Sequence, residues 1–265
     1  MLKQSRYKAR RCGAIAVFVC VLFGVAQAEA RASSILITVT EAGGPSIPIL
    51  DNGPFDTDPT AGRINVNPGV LNVILINFQF AGLHAVSNSP GAPDPAGAFL
   101  TIGGEVLTTG ALSPASITID VSDTDYTLPV GSSRTLFSST SATFTAAPAG
   151  NSQDFTSWYN ASNVLGDKGT PSASLINTST GVHSNSHGAN APGVMVGNVN
   201  PYGLTNETVI SLSPPAAGQS ADLVFGGSTQ ISDAPIPEPA TLLLCVGGFS
   251  GLMALRFRRS RVRLG

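Results

Sequence analysis

Apolar residues alternate with polar ones over short stretches of this chain, and no long interior window carries the 3.6-residue period of a helix. Ile35, Ile37 and Val39 share one face of the run from Ser34 to Glu41. In Ser116–Val121, Ile117, Ile119 and Val121 face one way, while Ser116, Thr118 and Asp120 face the other. Leu71 to Phe80 reads as a long apolar strand, with Val73, Leu75, Phe78 and Phe80 suited to a buried sheet. Further strands are predicted over Phe99–Leu107, Leu136–Thr145, Leu175–Thr178, Val209–Leu212 and Ala221–Phe225. Turn residues separate these runs, among them Asp51-Asn52-Gly53-Pro54, Asn88-Ser89-Pro90-Gly91, Pro148-Ala149-Gly150-Asn151 and Pro214-Pro215. One helix is predicted, over Gln153–Leu165 around Trp158 and Tyr159, and Gly181–Gly203 reads as a long loop. The pattern predicts an all-β domain, a β-sandwich of Greek-key or jelly-roll type.

The two ends differ from this interior. Lys3, Arg6, Lys8, Arg10 and Arg11 precede an apolar run from Gly13 to Val25, and Ala26-Gln27-Ala28 follows as a small-x-small cleavage site. That order predicts a secretory signal peptide over residues 1–28, with Ala30-Arg31-Ala32 as a later cleavage option. At the other end Ile236-Pro237-Glu238-Pro239 leads into an apolar run from Ala240 to Leu255. As a helix this run would be roughly 24 Å long, a short fit to a hydrocarbon core of about 30 Å. Arg256, Arg258, Arg259, Arg261 and Arg263 stand directly behind it, where they would hold the tail on the cytoplasmic side. The expected organisation is signal peptide 1–28, secreted domain 29–233 and C-terminal segment 234–265.

Pro237-Glu238-Pro239, the short apolar helix and the arginine tail together resemble the PEP-CTERM sorting signal, a segment also named after ice-binding proteins in some collections. The resemblance covers about thirty of 265 residues. It implies export by a Gram-negative bacterium, a transient inner-membrane anchor, and processing by an exosortase-type membrane enzyme for which this protein is the substrate. Many members of the family are linked to exopolysaccharide, biofilm or floc matrix. The interior is similar to a set of secreted PEP-CTERM proteins of unassigned activity. The likeness rests on Asp51-Asn52-Gly53 with Asp56-Thr57-Asp58-Pro59, on Val121-Ser122-Asp123-Thr124-Asp125-Tyr126, and on Pro201-Tyr202-Gly203-Leu204-Thr205. It implies a common β-rich fold and carries over no catalytic residue.

Charge is distributed unevenly. Between Glu29 and Glu238 only Arg31, Arg63, Arg134 and Lys168 stand against all sixteen acids, a net of −12. A surface this acidic excludes nucleic acid as a partner. Cys12, Cys20 and Cys245 all lie in the terminal segments, so no disulfide can form within the secreted domain.

Catalytic signatures are missing from the sequence. There is no Gly-x-Ser-x-Gly, His-Glu-x-x-His, phosphate-binding loop or dinucleotide fingerprint. The reading is therefore a non-enzymatic surface or matrix protein without a cofactor, with a glycan- or calcium-binding module as the alternative and a secreted hydrolase behind it. A hydrolase would need His84, His183 or His187 beside a carboxylate and a hydroxyl. His183 and His187, four residues apart, would share a metal only on a helix, and they read as loop residues. Asp120, Asp123 and Asp125 crowd a predicted strand end and form the favoured calcium set; Asp51, Asp56 and Asp58 form a second. Both sets have an ordinary reading as turn formers. Trp158, Tyr159 and Tyr202 are the aromatics able to stack on sugars, although Trp158, the one tryptophan, reads better as core. Ice binding would need a regular threonine ladder, which the sequence lacks.

Overall fold

A computed structural model describes residues 35–92, 97–109, 114–131, 133–181 and 183–233. The residues read from the sequence as a signal peptide and a sorting tail, including Ala26, Ala28, Pro237, Glu238, Pro239 and the five arginines, lie outside the described residues.

The elements in chain order are β1 (Leu36–Glu41), β2 (Ser46–Leu50), β3 (Arg63–Asn65), α1 (Pro68–Leu71), β4 (Phe78–Ser87), β5 (Ala98–Thr108), β6 (Ala115–Tyr126), β7 (Arg134–Thr145), β8 (Ser152–Asn160), β9 (Thr170–Pro171), β10 (Leu175–Thr178), β11 (Asn185–Asn190), β12 (Val194–Val196), β13 (Tyr202–Leu212) and β14 (Asp222–Asp233). They form two seven-stranded antiparallel sheets. The first runs β10-β8-β13-β6-β1-β2 with β9 on β8, and the second runs β11-β7-β14-β5-β4-β3 with β12 on β7. After β5 the chain crosses repeatedly between sheets, so most neighbours in a sheet are distant in sequence. This is the all-β sandwich the alternation predicts.

Each sheet turns one face to the other. Ile37, Val39, Ile117, Ile119, Val121, Phe155 and Ile210 point inward from the first sheet; Phe78, Leu100, Ile102, Phe144, Leu223, Phe225 and Ile231 point inward from the second. Part of the interior beneath β8 is polar. Thr229 donates to Asn206 Oδ1, Ser157 hydrogen-bonds Thr229, and Asn206 Nδ2 donates to Leu100 O at 3.0 Å. Asn177 Nδ2 donates to Gln153 Oε1 at 2.9 Å. These groups come from both sheets and satisfy one another, which buried polar groups require.

Three segments differ from the sequence reading. Leu71–Phe80 is not one strand: α1 and a turn precede β4. Asn67 caps α1 by accepting from Gly69 N, and Pro68 opens the helix. The buried Glu41 carboxylate then accepts the amides of Ile76 and Asn77, each at 2.8 Å. Two charged hydrogen bonds outweigh the strand preference of the apolar run, and Val73 is left 83 % exposed. Gln153–Leu165 is not a helix, because β8 pairs with β13 over nine residues. Gly181–Gly203 contains β11 and β12, both paired to β7.

One end of the sandwich is closed by tyrosines. Tyr202 stacks on Tyr126 at 5.5 Å between ring centroids and lies 5.1 Å from Tyr159. Tyr202 Oη donates to Leu128 O at 2.6 Å, and Tyr126 Oη donates to Phe99 O at 3.0 Å. Burial raises the hydroxyl pKa of all three above the usual 10.0. The folded state therefore keeps protons that the unfolded chain releases, and stability falls as pH rises through 10 and beyond. The expected result is one cooperative alkaline transition in which tyrosinate absorbance and loss of strand structure coincide. Ionisation of these rings well before unfolding would contradict the closure.

Candidate functional site

The outward face of the second sheet carries the candidate site. On β7, Leu136 and Ser138 point inward, which turns Phe137 and Ser139 outward. Phe137 is 42 % exposed. Gly193, between β11 and β12, lies against its ring: a Cβ at Gly193 would sit 2.9 Å from Phe137 Cε1. The ring is propped on one edge and open on the other.

Strand register extends this platform. Gln230 of β14 lies opposite Phe137 on one side and Phe99 of β5 on the other, so an aromatic–amide–aromatic row crosses two strand spacings, about 10 Å. The next row two residues along runs Asn190, Ser139, Ser228 and Thr101 on adjacent strands. Phe137, Ser139, Asn190, Ser228 and Gln230 also line a shallow depression of about 290 Å³ with Ser138 and Ala191. None of these residues is charged. The arrangement offers apolar ring surface beside hydroxyls and amides that both donate and accept, suited to a flat, neutral, hydroxyl-rich ligand. The sequence carried one trace of it: Phe137 is out of phase with Leu136 and Phe144.

The residues singled out from sequence sit elsewhere. Tyr159 and Tyr202 are buried and unavailable for stacking on sugars. Trp158, read as core, is half-buried on the outward face of the first sheet, and Lys168 Nζ covers its ring at 4.8 Å from the centroid. Asp120 faces outward and pairs with Lys168 at 3.2 Å, whereas Asp123 is buried and accepts Thr124 N at 2.8 Å. Asp125 sits at φ 64° and accepts Asn163 Nδ2 at 3.0 Å. Alternation along β6 puts Asp120 and Asp123 on opposite faces, Asp125 is turned by its left-handed backbone, and the three are held by different partners. Asp51 accepts Gly62 N, Asp56 accepts Asp58 N and Asn65 N, and Asp58 accepts Thr60 N, so this second set shapes its own turn. Among the described residues no three His, Cys, Asp or Glu side chains are grouped to hold a metal.

The histidines are also dispersed. His84 is exposed on β4, its ring above Gly103. His187 lies on β11, edge-on to Phe144 at 6.0 Å, with Nε2 2.8 Å from Asn185 Oδ1. His183 lies just before that strand, so the pair does not sit on the helix that a shared ion would require.

No family model matches the chain, and no curated protein matches it. Among solved structures, an arabinose-bound α-L-arabinofuranosidase is similar over 60 % of this chain and 24 % of its own, at 12 % identity and a TM-score of 0.22. A family 16 carbohydrate-binding module matches over 49 % of this chain and 77 % of its own, at 12 % identity and a TM-score of 0.23. A carbohydrate-binding module of the β-sandwich superfamily matches over 72 % of each chain, at 11 % identity and a TM-score of 0.28. This chain thus spans about a quarter of the length of the enzyme. At such low scores the likeness assigns neither ligand nor activity.

Proposed function

We propose that this protein is an exported, non-enzymatic binding module of the cell surface or extracellular matrix, and that it holds a neutral exopolysaccharide across the outward face of the second sheet. The observation that carries the reading is the propped, half-exposed Phe137 beside the uncharged row Asn190, Ser139, Ser228 and Thr101. A net of −12 over residues 29–238 repels polyanions and leaves neutral polymers as ligands. The sequence of the C-terminal segment supports the place of action: an exosortase-type enzyme would take Pro237-Glu238-Pro239 as its recognition motif, and the arginine-backed apolar run would be the anchor before release.

Binding should be measured by titration of the purified protein with neutral and uronate-bearing polysaccharides. Phe137→Ala should weaken binding of a neutral polymer about 10-fold or more, the loss of one buried ring. Trp158→Ala should leave it within about 2-fold, since Lys168 already covers that ring. Equal loss in both variants, or no affinity for any neutral polymer, would overturn the site. Deleting residues 234–265 should redirect the protein from its membrane-associated intermediate; unchanged fractionation would remove the sorting role.

A further inference from the structure

On the outward face of the first sheet, three reactive groups meet. Asp120 of β6 lies directly across from Glu207 of β13. Lys168, the only lysine between Glu29 and Glu238, reaches over both. Its Nζ is 3.2 Å from Asp120 Oδ1 and hydrogen-bonds Glu207 Oε2. Asp120 Oδ1 is buried and meets no conventional hydrogen-bond donor, and the Lys168 amine approaches it at 3.2 Å. The Trp158 ring closes the far side of Nζ, and the three side chains are only 36 %, 28 % and 25 % exposed for Lys168, Asp120 and Glu207.

This approach is built into the connection before β9. Gly166 N donates to Ser122 Oγ at 2.9 Å, Thr205 Oγ1 donates to Asp167 O at 3.0 Å, and Asn160 Nδ2 donates to Val164 O at 2.8 Å. Gly169 lies so close to β8 that a Cβ there would stand 2.3 Å from Tyr159 O. Backbone on both sides of Lys168 is therefore fastened to the sheet, and the amine is aimed.

We propose that Lys168 and Asp120 condense to an intramolecular amide, with Glu207 as the proton carrier. The starting pair is an ammonium and a carboxylate. Glu207 takes one proton from Nζ and passes it to the departing oxygen of Asp120. The freed Nζ lone pair attacks Cγ, forming the Cγ–Nζ bond. Cγ–Oδ then breaks, and a second nitrogen proton leaves with that oxygen as water. Glu207 returns to its initial state, the amide keeps one N–H, and no oxidant or co-reactant is consumed. Burial raises the Asp120 carboxyl above its usual range against the pull of Lys168; burial lowers Lys168, but Glu207 and Asp120 outweigh it. Proton transfer inside the triad is what the reaction needs, and Glu207 touches the amine that must lose the proton. The product would staple β6 and the β8–β9 connection in a domain that has no cysteine.

The test is peptide mapping of the full chain purified from an exporting host. Trypsin should fail to cut after Lys168. The peptide from Ile64 to Arg134 should appear joined to the peptide beginning at Thr135, lighter than their sum by one water. Lys168→Arg keeps the cation but cannot form the amide; it should restore the separate peptides and lower the melting temperature by about 10 °C. Glu207→Gln should leave most chains unlinked while the fold, read by circular dichroism, is unchanged. Cleavage after Lys168 with both peptides at full mass in the wild type would overturn the proposal and leave an ion pair.

Discussion

Arg134→Ala should remove about 3–5 kcal/mol of folding stability, through the cavity left and the hydrogen bonds lost, a large share of the 5–15 kcal/mol typical of a domain. Arg134 opens β7 and is fully buried. Nη1 donates to Val199 O at 3.0 Å, Nη2 donates to Asn200 Oδ1 at 2.8 Å, and the guanidinium lies 4.9 Å from the centroid of Tyr202. Register places Asp233 opposite it on β14. The arginine thus links the ends of β7 and β14 to the segment entering β13 and to the tyrosine closure. Truncation would take one donor from Val199 O, which keeps Tyr159 Oη, remove the donor to Asn200 Oδ1, and open a cavity beside Tyr202. Arg134→Lys should recover little, since an ammonium cannot present the planar fork that reaches both acceptors while lying on a ring. Denaturant unfolding would show a lower midpoint at unchanged slope. A loss below about 1 kcal/mol would mean that the charge contributes no more than a surface pair.

The second large effect concerns the contact between the sheets. Gly227 of β14 points inward, and a Cβ there would lie 2.2 Å from Phe155 Cε2 and 2.6 Å from Cδ2. Phe155 is itself fully buried and has no room to retreat. Gly227→Ala should cost about 2–3 kcal/mol through overpacking, and Phe155→Ala about 3–5 kcal/mol through the cavity it leaves. The double variant should be more stable than the two losses summed, by about 1 kcal/mol or more, because the added methyl enters space the ring vacates. Strict additivity in the cycle would show that the two residues do not touch.

Several strands were legible because one face of each is plainly apolar. Leu175–Thr178 coincides with β10, and Phe99–Leu107 lies within β5. The misread segments lacked such a face or had it overridden. Leu71–Phe80 is apolar enough for a strand, yet Glu41, far away in sequence, draws the amides of Ile76 and Asn77 into a turn. Asn185–Asn190 has no apolar alternation and is a strand because β7 offers it an edge. Around Trp158 and Tyr159 the apolar side chains are close enough in sequence to suggest a helix. Paired to β13, the same residues point to opposite faces.

Residue type alone determined that this interior would be all-β, acidic and free of disulfides, since period-two alternation, charge and cysteine positions are local properties of the chain. Tertiary structure decided the site. It buried Tyr159 and Tyr202, turned Phe137 out beside Gln230, and set Lys168 against two carboxylates from separate strands. The physical reason is that alternation fixes which residues share a face but not which face meets the other sheet. In strands rich in serine, threonine and glycine, that choice is made by partners brought together from far along the chain.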